Sequence, residues 1–180
     1  MLAVRRASAA DLDTIESLMA IAIDTLQRDV LTPGQIEASR AVMGLDRQLI
    51  ADGTYMMAER DGVIVGCGGW SYRATLYGGD HSAPLRDARL LDPAHDAARI
   101  RAMYTHPAHV RTGVASAILD ACEQAAVAAG FRELQLMATL SGEPLYARRG
   151  YRPIERVDTI VGTTIVPLIR MTKPAATCVR

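Results

Sequence analysis

The stretch His106 to Gly130, HPAHVRTGVASAILDACEQAAVAAG, constrains the fold more than any other part of this chain. An extended run, Ile100 to Thr105, is stopped by His106-Pro107 and passes through a glycine-containing turn into a long helical pattern. Val114, Ile118, Leu119, Cys122, Ala125, Ala126 and Ala129 form one apolar stripe, and Asp120, Glu123 and Gln124 fall mostly opposite. Gly130 then ends the helix, and Leu134 to Ala138 reads as a strand. A helix with one long apolar face must pack on another element, and with a strand on either side of it this block reads as strand, helix, strand in one layered unit.

The turn also has a chemical implication. At the helix start the amides of Arg111, Thr112, Gly113, Val114 and Ala115 lack intrahelical acceptors, and the helix dipole favours an anion there. Gly113 and Ala115 are small enough for phosphate oxygens to approach the backbone, and Arg111 adds charge. An ordinary helix start without a ligand has the same local pattern. Two other phosphate loops are excluded, because no glycine run leads to Gly-Lys-Ser or Gly-Lys-Thr and no Gly-x-Gly-x-x-Gly occurs.

The remaining chain places this block in a mixed sheet with helices packed on it. Leu2 to Arg5 is a short strand, and Ser8 with Asp11 makes a capping-box variant ahead of a helix from about Ala9 to the mid-twenties. Pro33 opens a second helix with Ile36, Ala41, Val42 and Leu45 expected on its buried side. Tyr55–Ala58 and Val63–Trp70 form a hairpin about Asp61-Gly62. Residues 72–96 lose all periodicity and read as a substrate-side flap or a segment holding a short element. Pro144–Arg149 is a short helix ended by Gly150; Pro153–Asp158 and Thr163–Met171 are closing strands. One domain over residues 1–172 is expected, with 173–180 as a flexible tail.

Composition narrows the class. Lys+Arg and Asp+Glu are both 20, so there is no electrostatic reason to expect a nucleic-acid partner. No apolar run is long enough for a membrane span. Cys67, Cys122 and Cys178 lack the paired spacing of a zinc site, so no metal is expected, and their odd number without a secretory signal suggests reduced thiols in the cytoplasm.

RAMYTHP, VRTGVA, ELQLMAT and YARRGY stand in order from Arg101 to Tyr151. In that order and spacing they resemble the GCN5-related N-acetyltransferase (GNAT) family: a strand, an Arg/Gln-x-x-Gly-x-Gly/Ala turn opening a long helix, another strand, and a helix carrying Tyr-x-x-x-Gly-Phe/Tyr. Val110 stands where the family prefers Arg or Gln, with Arg111 next to it, and Thr139 lies where many members carry Asn. The resemblance implies an α/β (α+β) fold: a mostly antiparallel sheet of about seven strands, splayed between strands 4 and 5, flanked by about four helices. It implies acetyl-CoA as co-substrate, held by Met103, Tyr104, Thr105, Arg111, Thr112, Gly113, Val114, Ala115 and Thr139. Met103 would act through its backbone on the thioester carbonyl and Tyr146 as general acid.

The implied activity is acetyl transfer to a small-molecule or peptide amine by direct attack on the thioester. A catalytically inactive CoA-binding regulatory module and a longer-chain acyl donor stay open as alternatives. No base is assigned; Glu59, His81, His95, Asp96 and His109 are candidates, and Trp70, Tyr72 and Tyr77 line an acceptor pocket or anchor the core. Arg148 is a candidate contact to the 3′-phosphate of CoA. A homodimer through the sheet edge near the C-terminal strands is consistent with the pattern.

Overall fold

The computed structural model describes residues 1–175. Strands are β1 (Leu2–Arg6), β2 (Tyr55–Arg60), β3 (Val63–Ser71), β4 (Ala98–Thr105), β5 (Glu133–Thr139), β6 (Arg152–Val161) and β7 (Thr164–Pro174). Helices are α1 (Leu12–Leu26), α2 (Pro33–Ser39), α3 (Arg47–Ala51), α4 (Val114–Ala128) and α5 (Glu143–Arg148). The strands form one seven-stranded sheet in the order β1-β2-β3-β4-β5-β7-β6, antiparallel except between β4 and β5.

Alternation on the central strands buries both faces, as expected of a sheet covered on each side. Met56 and Ala58 of β2 join one core with Val114, Ile118, Leu119, Cys122 and Ala126 of α4. Tyr55 and Met57 point into the other, with Ile15, Leu18, Met19, Ala22 and Ile23 of α1. Two glycines of β3 allow α4 to sit close: a Cβ on Gly66 would meet Val114 Cγ1 at 2.5 Å, and one on Gly68 would meet Ile118 Cγ2 at 3.0 Å.

Several expectations need correction. Five helices are present among the described residues, and the boundaries of some differ from those expected. α2 carries the expected N-terminal proline and a Thr32–Gln35 capping box, but it stops at Ser39. Gly44, with φ +125°, sits in the turn that follows, and the Asp46 side chain caps α3 by accepting from the Gln48 amide at 3.0 Å. Ala41 is consequently exposed, while Val42 and Leu45 are buried from the turn rather than from a helix. Ala129 of the predicted stripe is exposed as well.

The 72–96 segment is a closed loop holding a 3-10 turn at Ala83–Leu85, pinned by Leu91 N–H to Tyr72 O and Ala74 N–H to Arg89 O. β7 runs to Pro174, and Lys173 pairs with Glu123 at 2.8 Å, so the expected tail does not begin at 173. Residues 176–180, including Cys178, lie outside the described residues. β6 is the edge strand near the C-terminus, the feature on which the expected homodimer rests.

Candidate active site

β4 and β5 pair only at Ala98–Leu134, Arg99–Gln135 and Ile100–Leu136. Beyond that point β4 continues to Thr105 and β5 to Thr139, but each pairs only with its outer neighbour. The sheet therefore opens between them. The gap belongs to a cavity of about 880 Å³.

A bulge in β4 shapes one wall. Gly69 pairs with Arg101 and Cys67 with Tyr104, so Ala102 and Met103 together oppose Gly68. Ala102 adopts φ +51°, a left-handed conformation that costs a non-glycine residue about 1–2 kcal/mol. The buried Tyr55 hydroxyl donates to the Ala102 carbonyl at 2.8 Å and holds the bulge in place.

At one end of the cavity, the turn into α4 places Arg111 at φ +64° and Gly113 at φ +87°. Left-handed residues in such a turn direct successive amides to one side, a concavity suited to anions. The first bond reaching into the helix is Ala117 N–H to Gly113 O at 3.0 Å, which leaves the amides just before it for a ligand. Arg60 clamps the turn from outside, donating to Thr112 Oγ1 and Thr112 O, each at 3.0 Å.

Met103, Tyr104, Thr105, Arg111, Gly113, Val114, Ala115, Thr139 and Tyr146 all line this one cavity. Thr112 does not: its hydroxyl donates to His109 O at 2.7 Å and receives Arg60. Thr139 Oγ1 accepts from the Gly142 amide at 3.1 Å, so it also shapes the entry to α5. Tyr146, on α5, is 8% exposed, and burial lifts its phenol well above the usual tyrosine range. Its ring meets Tyr151 edge-on at 5.8 Å.

Of the suggested bases only His109 reaches the wall. Glu59 sits near Arg5, His81 bonds Arg40 O, and the exposed His95 pairs with Asp92. Of the three aromatics, Tyr77 lines the cavity, whereas Trp70 packs edge-on against Tyr72 and Phe131 in the core. Arg148 lines the cavity without an acidic partner among the described residues; Arg149 pairs with Asp120.

Sequence reasoning missed Arg60, the Tyr55 brace and Arg101. Arg101 is 5% exposed, pairs with Asp46 at 2.5 Å and donates to Gly78 O, tying β4 to two loops. Burial lowers its pKa, partly offset by Asp46. The Gly66-Cys67-Gly68-Gly69 run was the available signal for close approach in this region.

Residues 17–151 match the acetyltransferase (GNAT) family. Among solved structures, a GCN5-related N-acetyltransferase described as an aminotransferase, class-II, from Rhodopseudomonas palustris superposes with TM-score 0.71 at 25% identity, covering 96% of this chain and 94% of that one. PaiA N-acetyltransferase from Thermoplasma acidophilum, in complex with coenzyme A, gives TM-score 0.64 at 14% identity, over 97% and 99%. The yncA protein from Salmonella typhimurium, with its cofactor acetyl-CoA, gives TM-score 0.63 at 17% identity, over 99% and 96%. No curated protein matches the chain.

Proposed function

The chain belongs to the acetyltransferase (GNAT) family and takes acetyl-CoA as co-substrate, and from that premise we propose that it transfers the acetyl group to an amine by direct attack on the thioester. One observation carries this reading: the gap between β4 and β5 runs into the same cavity as the turn with outward amides.

The site fits the co-substrate. Gly113, Val114 and Ala115 would hold the pyrophosphate through backbone amides, with Arg111 adding charge. Arg148 is a cation on the same wall, suited to a further phosphate. The unpaired edge of β4 at Met103–Thr105 would receive the pantetheine amides as a strand would, with Thr139 on the facing strand. When bound, acetyl-CoA supplies an activated acyl carbon on a thiolate leaving group.

The residues around that carbon have distinct tasks. The Met103 backbone, set apart from the β3 ladder by the Ala102 bulge, polarises the carbonyl. The neutral amine attacks, the new C–N bond forms as C–S breaks, and the amine proton passes to solvent. Tyr146 gives its phenolic proton to the departing sulfur. Its raised pKa keeps that proton in place at neutral pH. The cytoplasm is the proposed compartment, in line with the two buried free thiols, Cys67 and Cys122.

Thiol release from acetyl-CoA, followed across an amine panel, tests the proposal. Amine-dependent release that falls in Tyr146→Phe supports it. CoA binding with no release from any amine refutes catalysis.

A further inference from the structure

The cavity extends past the CoA-facing elements to a second set of walls. The end of α1, the 42–44 turn, the 76–78 segment and β7 contribute Ile23, Leu26, Val42, Met43, Tyr77 and Leu168. These side chains form an apolar surface drawn from four separate parts of the chain.

Most polar side chains among them are engaged within the protein. Gln27 Nε2 donates to Ser39 Oγ at 3.3 Å. Tyr77 and Thr159 share a hydroxyl–hydroxyl bond at 3.2 Å. Tyr104 Oη accepts from the Gly44 amide at 3.0 Å. Arg101 is 5% exposed and spends both terminal nitrogens on buried Asp46, which also takes Arg86, and on Gly78 O, so it is not offered to an acceptor carboxylate. Asp29, on an exposed stretch after α1, is the one carboxylate lining the cavity among the described residues.

A second charge on the acceptor would lose water against these apolar walls, where the one carboxylate, Asp29, lies out on the exposed stretch, and that is unfavourable. An apolar body gains from leaving water. A polyamine would need an acidic group for each extra ammonium, and the cavity wall offers one. We propose that the acceptor is a monoamine on an apolar body, aromatic or branched aliphatic, with no second charged group; this rests on the acetyl-transfer reading above.

The test compares 2-phenylethylamine, phenylalanine and spermidine at saturating acetyl-CoA. The expected result is a kcat/KM for 2-phenylethylamine about tenfold or more above the other two. Leu26→Glu should lower that value about tenfold and raise spermidine turnover, with CoA affinity unchanged. Equal or better turnover of spermidine or phenylalanine overturns the acceptor class while preserving acetyl transfer. So does an unaltered preference in Leu26→Glu.

A thermal shift of CoA-saturated protein with each amine reads binding without turnover. A shift selective for 2-phenylethylamine with no thiol release from any amine supports the acceptor class and overturns the transfer reading. No selective shift and no release overturns the class as well.

Discussion

Replacing Gly66 by alanine perturbs the turn into α4, proposed above to hold the pyrophosphate, through the sheet beneath it. The added Cβ would lie 2.5 Å from Val114 Cγ1, 3.0 Å from Ile118 Cδ1 and 3.2 Å from the Tyr104 carbonyl. Comfortable carbon contacts are about 3.5–4.0 Å, so the first turn of α4 must yield by about 1 Å. Overpacking of this kind costs about 1–3 kcal/mol of stability. The same displacement moves the amides of Val114 and Ala115, and hydrogen bonds to charged groups are worth about 1.5–3 kcal/mol each. CoA affinity should therefore fall about 10- to 100-fold, measured by isothermal titration alongside denaturant unfolding.

Gly62→Ala is the matched control. Gly62 has φ +83° at the β2–β3 hairpin with nothing within 4 Å of a new Cβ, so it should lose about 1–2 kcal/mol through backbone strain and bind CoA normally. Equal stability losses with equal CoA affinities in the two variants would refute the role assigned to the α4 turn.

Three further outcomes follow from the same geometry. Tyr146→Phe should lower kcat about 10²-fold with little change in CoA affinity, read by steady-state thiol release and titration. Tyr55→Phe removes the donor to Ala102 O, so unfolding free energy should drop by about 1–2 kcal/mol; kcat should fall more than CoA affinity, because the bulge that sets Met103 loses its brace. Burial raises the phenol pKa values of Tyr55, Tyr104, Tyr146 and Tyr151. The native chain thus keeps protons that the unfolded chain gives up from about pH 10, and stability should hold below that pH and decline above it in denaturant titrations.

The sequence was most legible where one local rule dominated. Asp61-Gly62 marked its hairpin because both positions need positive φ, and they show +52° and +83°. The α4 stripe and its glycine entry were equally readable, since burial against a sheet selects the helical period. Legibility failed where tertiary contacts decided. Arg101 looked like a charged strand residue, yet it is buried because Asp46, 55 positions earlier in a separate turn, pairs with it.

α3 was overlooked because its five residues carry too short a pattern to stand out, although Asp46 was a usable cap signal. Thr112 was expected to act through its amide; that its side chain is fixed on the outer side by Arg60 of β2 had no local signature. The Ala102 bulge had no signature at Ala102 itself; only the glycines across from it on β3 hinted at close approach.

Amide chemical shifts during a titration with acetyl-CoA test the cleft most directly. Saturable changes concentrated at Arg111–Ser116 and Met103–Thr105, with smaller ones on β1 and β6, are the predicted result. Binding that leaves those amides unmoved, or shifts a different surface instead, would contradict it.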